Sequence, residues 1–461
     1  MSESRIQRRT FLKRASAAAG LAAAAPIVVC SDAWGAPKPV APSDRITVGM
    51  IGVGRQAFIV NLQRQFLKMP DVQIVAVCDV DRWRVEQGKR IVEQRYAEAQ
   101  RSGKYTGCAT HHDFRELLAR DDIDAVMISA PDHWHAPMAI AAAEAGKHVA
   151  LEKPITRTIA EGQAIIRAMR KHRRVFRMDS EMRSIAHFHR MAELVRNGRL
   201  GKLRSIRVGV PAGDNCECPP SPAMPVPEEL DYERWQGPAP RAPYTVNRVH
   251  PRKSFGRPGW MRVLYYCDGM ITNWGTHFCD IAQWCSGNEL TGPVEIEGTG
   301  IYPSREQLWN VLKTFEVRFR FADGMPFYFE NTRNPEITGA LSNCSAYVKI
   351  EGTEGWIYGA LGGPVKLQAE PASLLDVEIG PEETRFPLKS DKQDFIDAIK
   401  TGGRTLENEQ VAHRTTSLCH LGHIAIHLGQ KLRWDPDKEI FIGNEAADAY
   451  LQRPIHAPPE S

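Results

Sequence analysis

Beyond its first thirty residues the sequence lacks any apolar run long enough to cross a bilayer, so a soluble globular protein of two domains is expected. It also lacks an excess of charge of either sign. Lys and Arg number 59 and Asp and Glu 55; setting aside the five basic and two acidic residues of 1–36 leaves 54 against 53, a balance of +1. That balance gives no footprint for nucleic acid or for an anionic membrane surface. There is no internal repeat, and no histidine and cysteine spacing of a metal site. Cys216-x-Cys218 and His187-x-His189 are brought together by nothing in the sequence, so no metal is expected. Of ten cysteines, Cys30 lies in the leading segment, which leaves an odd nine; Cys216 and Cys218 are too close to bridge each other easily. Most are expected to be buried or free thiols.

What is present begins at the N-terminus. Arg8, Arg9, Thr10, Phe11, Leu12 and Lys13 form a twin-arginine block, followed by a weakly apolar stretch over 17–29 and small residues over 33–36. This is the layout of a Tat signal over 1–36, read by the Tat export machinery. An amphipathic helix would need a polar face that 17–29 does not have, and Val29 makes Cys30 a poor site for lipidation. A periplasmic or secreted protein is expected, in an oxidising compartment.

After the signal, apolar runs at 45–51, 72–78, 124–129 and 148–151 read as strands. Helical patterns lie between them, with capping boxes expected at Asp113 with Glu116 and at Thr158 with Glu161, the latter opening a helix that runs to about His172. Such alternation predicts a parallel, doubly wound sheet. Past Gly201 the pattern changes: 205–210, and Phe315, Val317, Phe319 and Phe321, alternate apolar with polar, as in a sheet wetted on one face. Residues 211–260 hold 11 of the 31 prolines and are expected to form a long ordered loop near the site, since Trp235, Tyr244 and Trp260 would be wasted in a disordered one. Helices are predicted over 389–400 and 410–431. The fold class is α/β: a Rossmann domain over 43–175, a substrate-binding and oligomerisation α/β domain with a mainly antiparallel open sheet over 176–440, and a tail over 441–461.

Gly52-x-Gly54-x-x-Ala57 follows the first strand and opens a helix, with Arg55 and Gln56 inside the turn. Asp79 ends the next strand, 25 residues past Gly54. The glycines permit the turn and let backbone amides approach a pyrophosphate, whose charge the helix N-terminus stabilises. An aspartate at the second strand end accepts hydrogen bonds from a ribose hydroxyl and repels a 2'-phosphate, which favours NAD; Arg55 and Arg82 keep NADP open.

The Gly52 turn, Cys78-Asp79-Val80-Asp81, the Ser129 to His135 segment, Glu152-Lys153-Pro154, Trp235-Gln236-Gly237-Pro238 and Gly275-Thr276-His277 together resemble the glucose-fructose oxidoreductase, inositol dehydrogenase and rhizopine catabolism (Gfo/Idh/MocA) family. The resemblance covers essentially the whole chain after the signal. It implies a sugar or polyol substrate and homo-oligomers formed through the C-terminal sheet. It also implies that Ala130, Pro131 and His135 line the cofactor pocket, that Glu152 helps hold the nicotinamide ribose, and that Lys153 points at the reacting hydroxyl. A lysine suits that place, because oxidising a carbinol needs its proton removed as hydride leaves carbon. Family members typically pair an Asp with a catalytic His; here Asn273 stands four residues before His277, and an amide cannot take a proton. Arg183, after a strand, is a candidate substrate or cofactor contact, and Tyr265, Tyr266 and Asp268 are candidates for the acid-base capacity that Asn273 lacks.

Three functions remain open at this point. The first is a sugar or polyol oxidoreductase, exported with its cofactor bound and recycling it internally. The second is a glycoside-cleaving enzyme of the same fold, working by oxidation, elimination, hydration and reduction, which needs no glycosidase carboxylate pair. The third is a sugar-binding protein that keeps the cofactor without turnover.

Overall fold

The computed structural model describes residues 44–213, 217–331 and 344–459; the expected signal over 1–36, with Cys30, and also Cys216, lie outside them. Six strands form the first sheet: β1 (Ile46–Ile51), β2 (Val72–Cys78), β3 (Ala109–His111), β4 (Ala125–Ile128), β5 (His148–Glu152) and β6 (Phe176–Asp179). All pairs are parallel, in the order β3-β2-β1-β4-β5-β6. Helices cover both faces of such a sheet, so its inner strands are apolar throughout, and every residue of β4 is buried. β3 escapes a reading by periodicity because it has three residues and none is fully buried.

Helices α1 (Arg82–Arg95), α2 (Phe114–Leu118), α3 (His135–Glu144) and α4 (Ile159–His172) connect the strands. The Thr158–Glu161 capping box forms as expected at α4. The one expected at Asp113 does not close. Asp113 caps α2 by accepting from the Arg115 amide at 3.0 Å, but the Glu116 carboxylate turns to His111 of β3, 3.4 Å away.

The second sheet has nine strands. They are β7 (Leu203–Val210), β8 (Glu295–Ile301), β9 (Thr314–Arg320), β10 (Pro326–Asn331), β11 (Ala346–Gly352), β12 (Trp356–Leu361), β13 (Leu367–Glu370), β14 (Leu432–Asp435) and β15 (Ile440–Phe441). Only β7 and β10 pair in parallel; the other neighbours are antiparallel. β9 alternates strictly between exposed and buried positions. Its buried side packs under α6 (Gly275–Ser286) and α8 (Glu409–Leu428): Phe278, Ile281, Leu418 and Leu421 share one core with Val208, Val317 and Phe319. The helix α7 (Asp391–Thr401) returns to the first sheet, where Asp394 pairs with Arg177 of β6.

Among the described residues no helix is long and apolar enough to cross a membrane, no cluster of ligating side chains suits a metal, and all eight cysteines are free, seven of them buried.

The proline-rich stretch is ordered where it is described. Trp235 and Tyr244 are buried in a cluster of its own, with Trp260 packed against it. The segment crosses the carboxyl end of β2. Leu230 bridges to Asp81, the Arg82 amide donates to Glu229 at 2.8 Å, His250 meets the Asp81 carboxylate at 3.1 Å, and Phe255 stacks on Phe58 with ring centres 4.0 Å apart.

Candidate active site

The carboxyl ends of β1, β2, β4, β5 and β6 converge where the strand order reverses between β1 and β4, the place where open parallel sheets bind ligands. Gly52 sits there with φ of +85°, and a Cβ on it would lie 2.6 Å from the Ser129 carbonyl oxygen, so this glycine lets the β1 turn close against β4. A Cβ on Gly54 would meet nothing within 4 Å. Its open side, at the start of the following helix, is the cradle a pyrophosphate needs. Arg55 is exposed beside it and Gln56 half-buried.

Asp79 closes the far side of the turn. Its carboxylate accepts from the Val53 amide at 2.7 Å and the Asp81 amide at 2.9 Å, and lone pairs remain on both oxygens. Burial raises its pKa, and nearby Arg84 opposes that. Of the two arginines that kept NADP open, Arg82 is drawn to Glu228, both to its carbonyl and to its carboxylate 3.8 Å away.

The helix after the turn, Ala57–Gln65, is wound as a π-helix, and its buried Asn61 faces inward. Asn61 Nδ2 donates to Ser129 Oγ and to Glu152 Oε1, each at 3.0 Å, which orients the buried Glu152 carboxylate. Sequence reasoning missed Asn61; its one signal is a polar residue on the apolar Phe58–Leu62 face. His135 is wholly buried, and its ring spans the Pro154 carbonyl (2.6 Å) and the Ala130 carbonyl (2.8 Å). It ties the ends of β4 and β5 together, with Pro131 between them in sequence. The neighbouring Asp132 is buried too, and burial pushes its carboxyl up to about 8 in spite of nearby Arg157 and Lys153.

Lys153, just past β5, donates through Nζ to the Asn273 backbone oxygen at 3.1 Å and to Asn273 Oδ1 at 3.2 Å. Asn273 ends a short helix, α5 (Met270–Asn273), and His277 lies in α6; Trp274 separates the two, so the pair does not share one continuous helix. His277 Nδ1 nonetheless comes within 2.8 Å of Ser180 Oγ at the end of β6. Burial lowers the His277 pKa well below the usual histidine range, and nearby Lys153 lowers it further. A small cleft opens beside Asn273, lined by Arg257, Met261, Arg262, Met270 and Val311 among others.

Four expected contacts fall elsewhere. Arg183 is 1% exposed and forked on Asp280, at 2.7 Å to each carboxylate oxygen, with Glu289 also at 2.7 Å and the guanidinium over Trp284. It is a core ion pair, because the Asp280 carboxylate, sealed in the interior, needs a cation beside it. Asp268 is likewise buried against Arg157 at 3.0 Å, with His423 at 3.3 Å, and that guanidinium with the two histidines His423 and His420 holds its carboxyl far below the usual range. It has no proton to give. Tyr266 is buried against Trp235 and His133, and Tyr265 packs half-buried on His456; neither lines the cleft.

Two family models match the chain: the oxidoreductase family NAD-binding Rossmann fold over residues 46–180, and the oxidoreductase family C-terminal alpha/beta domain over 219–460. The chain belongs to the Gfo/Idh/MocA oxidoreductase family. Its Rossmann sheet is therefore an NAD-binding one, and the Gly52 turn, Asp79 and Glu152 stand at its carboxyl edge. Among family relatives, the chain is 35% identical over 210 residues to an alpha-N-acetylgalactosaminidase of Shewanella oneidensis, covering 43% of this chain and 44% of that one. It is 34% identical over 210 residues, with the same coverage, to a glycosyl hydrolase family 109 protein of Shewanella baltica. The match thus spans less than half the length of either relative. The fold is shared with the WlbA dehydrogenase of Bordetella pertussis, solved with NADH and UDP-GlcNAcA (TM-score 0.59, 14% identity, 85% of this chain and 99% of that one).

Proposed function

We propose that this protein cleaves a glycoside, using one tightly held NAD that takes a hydride from the sugar and returns it within the same turnover. The observation that carries the reading is the Lys153 amine, just past β5, donating to Asn273 O and Oδ1, a residue that also lines the small cleft. Two of the amine's N–H bonds go to Asn273, and it is the uncharged form of an amine, with its lone pair, that accepts a carbinol proton.

When bound, the dinucleotide supplies a hydride acceptor at the start and a hydride donor at the end. Lys153 takes the proton from the ring hydroxyl at Nζ. The resulting ketone acidifies the neighbouring C–H, whose proton passes to solvent as the departing glycosidic oxygen takes one from solvent; water then adds across the new double bond, restoring the C–H, and Lys153 gives its proton back to oxygen on reduction. Likeness to the Shewanella alpha-N-acetylgalactosaminidase favours this route over sugar–sugar oxidoreduction, the first of the three functions read from the sequence. The loop laid over the end of β2, with Phe255 on Phe58, favours a cofactor that is kept. Export by the twin-arginine signal, away from a soluble NAD pool, requires the same redox balance. Arg257 and Arg262 offer donors to sugar hydroxyls, and a second copy is expected on the outer face of the nine-stranded sheet.

The as-purified protein, without added NAD, is expected to turn over an aryl α-N-acetylgalactosaminide many times and, in D2O, to place deuterium on the carbon beside the oxidised one. Paired oxidised and reduced sugars would replace this reading with sugar–sugar oxidoreduction, released NADH with an ordinary dehydrogenase, and no turnover of any sugar with a binding protein.

The Asp79 carboxylate favours NAD over NADP, because a second anion beside it would be unpaired. Asp79→Ser is expected to narrow or reverse that preference, read as the ratio of dissociation constants. Equal binding of both cofactors by the unmodified protein would show that Arg55 or Arg82 decides instead.

A further inference from the structure

We infer that Ser180 fixes His277 as the tautomer protonated on Nε2, so that this histidine meets the substrate oxygen as a hydrogen-bond donor and Lys153 alone exchanges the proton. Ser180, at the carboxyl end of β6, is completely buried. Among the described residues its hydroxyl has one hydrogen-bond partner, His277 Nδ1 at 2.8 Å. The hydroxyl carries one proton. Were Nδ1 to donate instead, that proton would be buried with no acceptor, whereas O–H donation to the Nδ1 lone pair satisfies both groups. Nδ1 therefore accepts, and the single proton of a neutral imidazole sits on Nε2.

The surroundings keep the ring neutral. Asn273, four residues earlier, brings no negative charge, and both burial and the Lys153 amine disfavour an imidazolium. Nε2 makes no hydrogen bond among the described residues and is not sealed in the interior. A neutral imidazole N–H aimed at a carbonyl stabilises negative charge developing on that oxygen without surrendering a proton. In the redox-neutral cycle proposed above, on which this role rests, the hydroxyl proton passes to Lys153 Nζ as hydride leaves carbon. Nε2–H then donates to the new carbonyl and to the enolate formed when the neighbouring C–H gives its proton to solvent. On reduction the Lys153 proton returns to oxygen, and His277 has neither gained nor lost one. Ser180 is thus a positioning residue.

The test is the nitrogen NMR spectrum of the as-purified protein labelled with 15N-histidine, with His277→Gln assigning one ring among the fifteen histidines. The unmodified protein should show an unprotonated Nδ1 and a protonated Nε2 throughout neutral pH. In Ser180→Ala the two nitrogens should move toward a tautomer average and turnover should fall roughly tenfold or more with little change in KM, while Ser180→Thr restores both. A proton on Nδ1 in the unmodified protein, or an unchanged tautomer in Ser180→Ala, would overturn the inference. Should Ser180→Ala not fold, the spectrum of the unmodified protein decides alone. Failure to cleave any glycoside would defeat the proposed function while leaving the tautomer to be read independently.

Discussion

Lys153→Ala is expected to lower turnover by about a hundredfold or more while the dinucleotide stays bound, since a positioned acid-base group commonly contributes about 10²–10⁴ in rate. The separation is expected from the geometry. Among the described residues Lys153 Nζ hydrogen-bonds to Asn273 alone, whereas the turn at Gly52 and Gly54, the Asp79 carboxylate and the Asn61-oriented Glu152 make no hydrogen bond to it. The measurement is single-turnover reduction of bound cofactor alongside the NAD content of the denatured protein. Full activity in the variant would move the proton route away from Lys153. Loss of cofactor would show that the lysine binds rather than reacts.

Arg183→Ala should cost about 3–5 kcal/mol of stability, the usual penalty for removing one partner of a buried ion pair. Arg183 neutralises Asp280 and Glu289 and comes within 4.0 Å of Glu407, and both Asp280 and Glu407 have fully buried side chains. Glu407 already has its pKa raised by burial and by Asp280. A carboxyl raised in the folded state is tolerated best when protonated, so the deficit in the variant should grow as pH rises and shrink as pH falls toward the ordinary carboxylate range. Urea unfolding of the holoprotein at several pH values checks both statements. If Arg183 contacted substrate, the variant would keep its unfolding midpoint and lose KM.

The first sheet was legible because its signals are local. β1, β2, β4 and β5 each show an apolar run, whereas the equally buried β6 carries Arg177 and Asp179 and shows none; the Gly52 turn and the Thr158–Glu161 box are set within a few residues. β9 was legible for the same reason: period two is written directly in its residues. Lys153 and Asn273, both singled out from the family resemblance, do meet, although 120 residues separate them. The surroundings of Arg183, Asp268 and Tyr266 were not legible, because a charged or phenolic side chain in a sequence looks the same whether it faces a cleft or a buried counter-charge. Only Asp280 at 97 positions' distance, and Arg157 at 111, reveal which it is.

By itself, then, the sequence determined the α/β class, the nucleotide-binding turn and the residue types available for proton transfer, since these depend on periodicity and on short-range backbone requirements. Tertiary structure alone decided which polar groups are spent on one another. Asn61 orienting Glu152, Ser180 holding His277, and Lys392 of α7 enclosed between Asp179 and Asp391 all depend on burial and on partners far along the chain. In water each of those groups would be satisfied by solvent. Once the sheets and helices exclude it, the geometry of the fold fixes which partner each one takes and where its protons lie.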